Sequence, residues 1–443
     1  MRQWTTLAVL VICLCALVPC TAQAASIKLN KSNVLLKEEE TYTLKLKNVK
    51  AGVKIKWKSS DQTIATVSSK GKVTAVSEGE TYVTATANKR KYKCKVSVSK
   101  NFAKIFEYQV KYHEITINKV KNFSDSQMVI PSEIDGYPVT ALSDSIFADF
   151  NGLERVVIPE GIAELPDNAF SGCKKLTSVK AEGTITRIGE NCFKNCHSLT
   201  EVPDMNAIRE VPDMAFYECN SIDISIPTDI SFIGEKAFYN CDAIRLLIIP
   251  SSVKSIGDYA FYDCDGVHSA MILSVTEDSQ LEQVGNFVMA ECDNLMSVNF
   301  ASGKKIQRYG NGCFYNCKSL VSVTLTGSAT WIGDDFFYNC ENLSTIHLPD
   351  YLGSIPKRCF YNCYKLNNIT LPYMVSNIES QAFFNCFNYS PNGGSTIYIL
   401  SSELISSSND AFLGVPVSRV MVYYQNDKIG DWASKIGFNK IKF

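Results

Sequence analysis

Two periodicities divide the chain. From residue 27 to 98, apolar and polar side chains alternate in short runs, as in half-buried strands. Examples are Val53-Lys54-Ile55-Lys56-Trp57, Ile64-Ala65-Thr66-Val67 and Tyr82-Val83-Thr84-Ala85-Thr86, separated by turn signals such as Lys70-Gly71-Lys72. About seven short strands in this span predict a small β-sandwich. Further on, the period lengthens. Cysteine recurs at 173, 196, 219, 241, 264, 292, 317, 340, 363 and 386, at intervals of 22 to 28 residues and most often 23. Each cysteine closes a phrase such as Ala237-Phe238-Tyr239-Asn240-Cys241. A strand phrase follows, as in Leu343-Ser344-Thr345-Ile346-His347-Leu348-Pro349, and then a step such as Ile355-Pro356. Such a unit cannot bury its apolar face alone, so neighbouring units must stack into a solenoid. Leu343, Ile346 and Leu348 point inward, Pro349 ends the pairing for want of an N–H, and Phe360 fills the gap between turns. Roughly eleven turns, with strands ~4.8 Å apart, make a rod on the order of 50 Å long.

Both patterns resemble known families. Trp57-x-Ser59-Ser60, Ile64-Ala65-Thr66-Val67, Gly71-x-Val73-Thr74-Ala75 and Cys94-x-Val96-x-Val98 are similar to the bacterial immunoglobulin-like group 2 domain. The repeats resemble the BspA-like leucine-rich-repeat family over residues 125 to 415. Val129 to Gly136 looks like that family's opening turn, and Val420 to Phe443, with Tyr423 and Trp432, like its closing strand and helix. The expected class is mainly β: an N-terminal Ig-like β-sandwich (25–100), then a leucine-rich-repeat solenoid with one parallel sheet and end caps (101–443). Two departures stand out, the 28-residue interval before Cys292 and a Gly-Gly insertion from Asn388 to Ser395.

Composition adds location. Arg2, the apolar run Leu7 to Val18 and the small-x-small triplet Ala22-Gln23-Ala24 form an export signal over residues 1–24, with cleavage near Ala24. The run is short for a membrane span. A lipoprotein alternative, acylated at Cys20, fits poorly behind Pro19. The protein is therefore expected to be secreted or on the cell surface. Its formal net charge of -1 conceals an asymmetry: residues 25–100 carry 17 Lys/Arg against 6 Asp/Glu, and residues 101–443 carry 26 against 39. The basic head, with Lys45, Lys47, Lys54, Lys56, Lys58, Lys89, Arg90, Lys91, Lys93 and Lys95, suits contact with an anionic cell wall, though solubility alone also accounts for it. Nucleic acid is not an expected partner, because few aromatics interleave these charges.

Candidate chemistry is sparse. Of 17 cysteines, three fall in the export signal. The remaining column, one per turn beside an inward Phe, predicts buried reduced thiols rather than disulfides or a metal array, and implies a reducing habitat. The i,i+4 pairs Cys192/Cys196, Cys313/Cys317 and Cys359/Cys363 arise where cysteine replaces the Ala of Ala-Phe. The four histidines form no zinc-type grouping, and no nucleophile elbow or phosphate-binding loop is present. No catalytic residue, metal or cofactor is expected.

The candidate site is a surface. The residue after the buried Phe is Tyr217, Tyr239, Tyr262, Tyr315, Tyr338, Tyr361 or Phe384 in successive turns, an aromatic stripe that either contacts a partner or covers the Phe layer beneath. Outward strand positions are mostly small and polar: Ser178/Lys180, Ser297/Asn299, Ser322/Thr324, Thr345/His347 and Asn368/Thr370. His347 is a candidate contact among them. Leu246, Ile248 and Met271 form an apolar patch in adjacent turns, either a partner site or ground covered by the insertion after Met271. The resemblance implies attachment to host matrix proteins and to other bacteria. The expected function is extracellular binding or adhesion to a protein or glycan, with a cell-envelope scaffold or carbohydrate binder as the alternative.

Overall fold

The computed structural model describes residues 26–99, 102–121, 123–273, 279–300, 305–325, 327–389, 394–403 and 405–443. The export signal, Cys20 and the insertions at 274–278 and 390–393 lie outside them. The chain divides into two compact units at Phe102/Ala103.

In the first unit, a four-stranded sheet runs in the order Asn33–Lys37, Arg90–Ser99, Gly79–Ala87 and Lys56–Ser59. A three-stranded sheet runs in the order Thr41–Thr43, Lys72–Ala75 and Ala65–Val67. Their alternating residues meet in a core of Val34, Leu36, Leu44, Val73, Val83, Cys94 and Val96, with Trp57 packed against it. Gly71 is required where it stands: its φ is +82°, and a Cβ there would lie 2.4 Å from the Leu44 carbonyl and 2.8 Å from the Trp57 ring. Asn88 and Lys89 both take positive φ, which makes the tight two-residue hairpin joining the two longest strands.

The second unit is a parallel β-solenoid of about 12 turns. It opens with an antiparallel hairpin, Phe106–Lys111 and Glu114–Val120, whose second strand pairs in parallel with Tyr137–Leu142. Repeating strands follow, Gln127–Val129 beside Arg155–Ile158 beside Ser178–Ala181. After a single bridge from Ser178 to Glu201, the wide ladder stops. It resumes at Leu246–Pro250 and continues as a nine-stranded sheet to Asn439–Lys442. The expected single sheet is thus present but interrupted. It is joined by a narrow second ladder of two-residue strands, from Glu210–Val211 through Phe232–Ile233 to Trp331–Ile332, built at the Ile-Gly step. Ser178 departs from expectation: it is buried, because its hydroxyl donates to Glu201 Oε2 at 2.7 Å.

One hydrophobic column runs through the turns. Phe147, Phe170, Phe193, Phe216, Phe238 and Phe261 stack at 5.2–5.4 Å. After Met289 takes the Phe position of one turn, Phe314, Phe337, Phe360, Phe383 and Phe412 continue at 5.2–5.5 Å. The far end is closed by the helix Asp427–Ile436, capped by Asn426 in front and by left-handed Gly437 behind. Its Trp432 lies edge-on to Phe412, and its indole N–H donates to Ser407 Oγ.

Candidate binding surfaces

The loop that carries the aromatic stripe has a fixed backbone. Two residues per turn sit in the left-handed region, for instance Lys236 at φ 53° and Asn240 at φ 53°, flanking Ala237-Phe238-Tyr239. Alternate N–H groups then donate to the next turn: Lys236 to Asp258 O (2.9 Å), Phe238 to Ala260 O (2.8 Å) and Asn240 to Tyr262 O (2.8 Å). Side chains therefore stand in columns, one per loop position. Phe238 is buried and Tyr239 is half-buried.

Cysteine fits its column because it is a small hydrophobe with a weak donor. In ten consecutive turns its Sγ–H donates to the carbonyl of the residue at the Phe position one turn earlier, as in Cys340 to Phe314 O at 3.0 Å and Cys386 to Phe360 O at 2.8 Å. All 14 described cysteines are buried free thiols. Desolvation pushes Cys94, Cys173 and Cys292 up to about 12, so these groups stay protonated. At the left-handed position before each late cysteine stands an asparagine. Asn385 donates to Asn362 (3.0 Å), Asn362 to Asn339 (2.8 Å), Asn339 to Asn316 (2.8 Å), and Asn316 to Glu291 Oε1 (2.8 Å).

The aromatic stripe is not continuous, contrary to the expectation of one aromatic in each successive turn. Tyr217, Tyr239 and Tyr262 stack at 4.8 and 4.9 Å. Tyr315, Tyr338, Tyr361 and Phe384 stack at 4.8, 4.7 and 4.4 Å. Between the two stacks the position is Ala290, in the same turn that carries Met289. Phe287 enters from the neighbouring column, stacked on Tyr259 at 5.3 Å and edge-on to Tyr315 at 6.0 Å. Burial, then the Glu291 charge, pushes Tyr262 up to about 12, and burial also raises Tyr217, Tyr239, Tyr315 and Tyr338. These phenols are therefore neutral donors at physiological pH.

On the outward face of the wide sheet, register aligns Leu246, Ser269, Ser297, Ser322 and Thr345 in one row. Ile248, Met271, Asn299, Thr324 and His347 form the next. Leu246 is 50% exposed, whereas Ile248 and Met271 are only half-buried, less open than the sequence suggested. An open groove of about 670 Å³ lies next to the start of these strands, lined by Arg245 and His268, immediately before Leu246 and Ser269, and by Asp223, Asp242 and Asp265. Asp242 and Asp265 also hold the backbone, accepting from the N–H groups of Asp265 and Asp293 one turn on. The sequence reading overlooked a second apolar zone on the same face: Tyr398 and Tyr423 stack at 5.0 Å beside exposed Ile441. Their alternation in Ser395–Ile399 and Val420–Tyr424 was the available signal. Arg308 over Trp331, at 4.6 Å on the narrow ladder, was likewise unmarked.

Among the described residues, no group of three or more His, Cys, Asp or Glu could hold a metal ion, and no helix is long and apolar enough to cross a membrane.

A solenoid of this kind, with one side chain type per column, is a repeat scaffold of the leucine-rich class. Residues 140–268, 209–340 and 282–415 match the BspA type leucine rich repeat region, in six copies, and the chain belongs to that family. Residues 23–98 match the bacterial Ig-like domain, group 2. Among solved structures, a leucine-rich repeat protein from Bacteroides ovatus is similar at 20% identity and TM-score 0.54, over 76% of this chain and 98% of that one. A leucine rich cell surface protein from Faecalibacterium prausnitzii is similar at 21% identity and TM-score 0.47, over 72% and 92%. No curated protein matches. The family is one of cell-surface proteins and, in general, of non-enzymatic binding scaffolds; no catalytic family is indicated.

Proposed function

We propose that this is an exported adhesion or recognition protein. On this reading the signal of residues 1–24 is cleaved near Ala24, the solenoid binds an extracellular protein or glycan such as a host matrix protein, and the lysine-rich head rests on the cell wall. The observation that carries the reading is the apolar patch of Leu246, Ile248 and Met271 beside a charged groove, set apart by the polar positions Asn299, Thr324 and His347 from the second apolar zone at Tyr398 and Tyr423. Apolar area rimmed by charge is what a specific protein interface buries. The aromatic stacks of Tyr239 and Tyr262 and of Tyr315, Tyr338 and Tyr361, together with His347, are candidate secondary contacts.

The test is binding of the full-length protein to immobilised matrix proteins, mucins and bacterial cell walls. Saturable binding to a host protein, weakened at least tenfold by Leu246→Asp or Met271→Asp, supports adhesion through this patch. Binding to walls alone replaces it with the envelope-scaffold reading.

A further inference from the structure

The head carries a surface that the solenoid reading does not use. In the four-stranded sheet, Lys56 pairs with Thr86 and Thr86 with Lys91; one rung on, Lys58 pairs with Thr84 and Thr84 with Lys93. Their neighbours Trp57, Val83, Ala85 and Cys94 turn into the core, so these six residues share the outward face. The result is two Lys-Thr-Lys rungs. Rungs stand ~6.6 Å apart along the strands, and the two lysine files ~9.6 Å apart across them. All four lysines are exposed, and among the described residues none has an ion pair. Lys93 reaches only the Tyr82 ring, at 5.8 Å. The face's acid, Glu80, is taken by Lys95 at 2.7 Å. Thr84 and Thr86 are half-buried between the files. Tyr82, 48% exposed, extends the threonine file.

Four cations without counter-charge repel one another, which a sheet built only for stability would avoid. A linear polyanion lying along the threonine file relieves that repulsion on both sides at once. We infer that this face is a binding site for an anionic polysaccharide, its sulfate or carboxylate groups held by Lys56, Lys58, Lys91 and Lys93. Lysine supplies compact point charges that attract sulfate, carboxylate and phosphate alike, so the preference for a sugar polymer rests on the groups between the lysine files. The two hydroxyls and the open tyrosine ring supply what a sugar, rather than a bare charge, requires: hydrogen-bond partners and an apolar platform. The inference deepens the proposed resting of the head on an anionic wall and rests on that reading for its extracellular location, but it stands whether or not the solenoid binds a protein.

The test uses the full-length protein with heparin and polygalacturonate as probes, and inorganic polyphosphate and single-stranded DNA as charge-matched comparators. Heparin binding should weaken with salt along a log–log slope of roughly −3, as expected for about four neutralised anionic groups. Replacing Lys56, Lys58, Lys91 and Lys93 together by Gln should cost at least 30-fold in affinity and flatten that slope. Replacing Lys45, Lys47, Lys70 and Lys72, exposed lysines elsewhere in the same unit, should cost under threefold for the same change in net charge. Unchanged circular dichroism and solenoid-partner binding in both variants separate loss of this site from unfolding and from failure of the adhesion reading. Equal losses in the two quadruple variants would overturn the site. Polyphosphate or DNA binding as tightly as heparin, with no effect of Tyr82→Ala, would overturn the polysaccharide.

Discussion

Replacing Asn362 separates two contributions that its position combines. The residue sits at φ 58°, where a Cβ is disfavoured, and it also links the amide chain, donating to Asn339 at 2.8 Å and accepting from Asn385 at 3.0 Å. Asn362→Gly keeps the backbone comfortable and removes both bonds. At about 0.5–1.5 kcal/mol for each neutral bond, the loss is about 1–3 kcal/mol. Asn362→Ala loses the same bonds and adds about 1–2 kcal/mol for a left-handed alanine, partly offset by a less flexible unfolded chain. Alanine should therefore be the worse of the two. Asn362→Asp is sharper still. A carboxylate can accept from Asn385 but must face the Asn339 oxygen without a proton to offer, so its folded pKa lies above the unfolded value of ~3.9. The Asp variant should be weakest near neutrality and should recover as pH falls through that raised pKa toward the unfolded one, where the protonated acid donates again. Urea unfolding by circular dichroism, with hydrogen exchange of residues 335–390 as the local probe, measures all three. A glycine variant as stable as the parent, or an Asp variant indifferent to pH, would refute the claim that the amide chain stabilises these turns.

Other expectations follow from the same packing. The buried thiols should resist a thiol-specific reagent at pH 8 in the folded protein and react fully in denaturant, because burial bars access and, at Cys94, Cys173 and Cys292, raises the pKa; rapid labelling of the native state would contradict the thiol column. Phe337→Ala, which opens a cavity in the centre of the stack, should cost about 3–5 kcal/mol in urea unfolding, and Tyr338→Ala, half-buried beside it, clearly less. Gly266→Ala would place a Cβ 1.8 Å from the Asp242 carbonyl, so its melting temperature should fall by several degrees, with exchange rising first in the turns around Cys264.

Much of this was legible in the sequence because the repeats bury one residue type per position. The Phe and Cys columns and the strand rows from Leu246 onward follow from period and polarity alone, and the closing helix at Trp432 from the resemblance of residues 420–443 to the family's end cap. Three features did not. The narrow ladder uses only two residues per turn, too few for alternation to register. The gap in the wide sheet after Glu201 falls where Val202-Pro203 and Ile226-Pro227 bring proline, without an N–H, into the strand segments. The left-handed positions are the third: Met214, Lys236, Tyr259, Phe287 and Arg358 all adopt positive φ, although none is a residue that advertises it. The inter-turn N–H bonds impose that conformation, and those bonds exist only once turns are stacked. The break in the aromatic stripe at Ala290 was visible as a letter, but its repair by Phe287 from another column required the fold.

The thiol-to-carbonyl bonds carry a consequence for how such a chain changes length. Eight of the ten span 25 or 26 residues, the two at the long turn span 31 and 28, and the Asn–Asn links span 23, so each contact connects a turn to its immediate neighbour and to nothing farther. A duplicated unit would find in its twin the donors and acceptors it already uses, and deletion of one would leave two mating surfaces of the same kind. Units from Cys317 to Cys386, with a constant 23-residue step, are in this sense interchangeable coinage, open to gain or loss by unequal recombination. The turn at Cys292, with Met289, Ala290 and Glu291 in place of Phe, Tyr and Asn, is the one whose copying would interrupt the Phe, Tyr and Asn columns at once while leaving the thiol column intact.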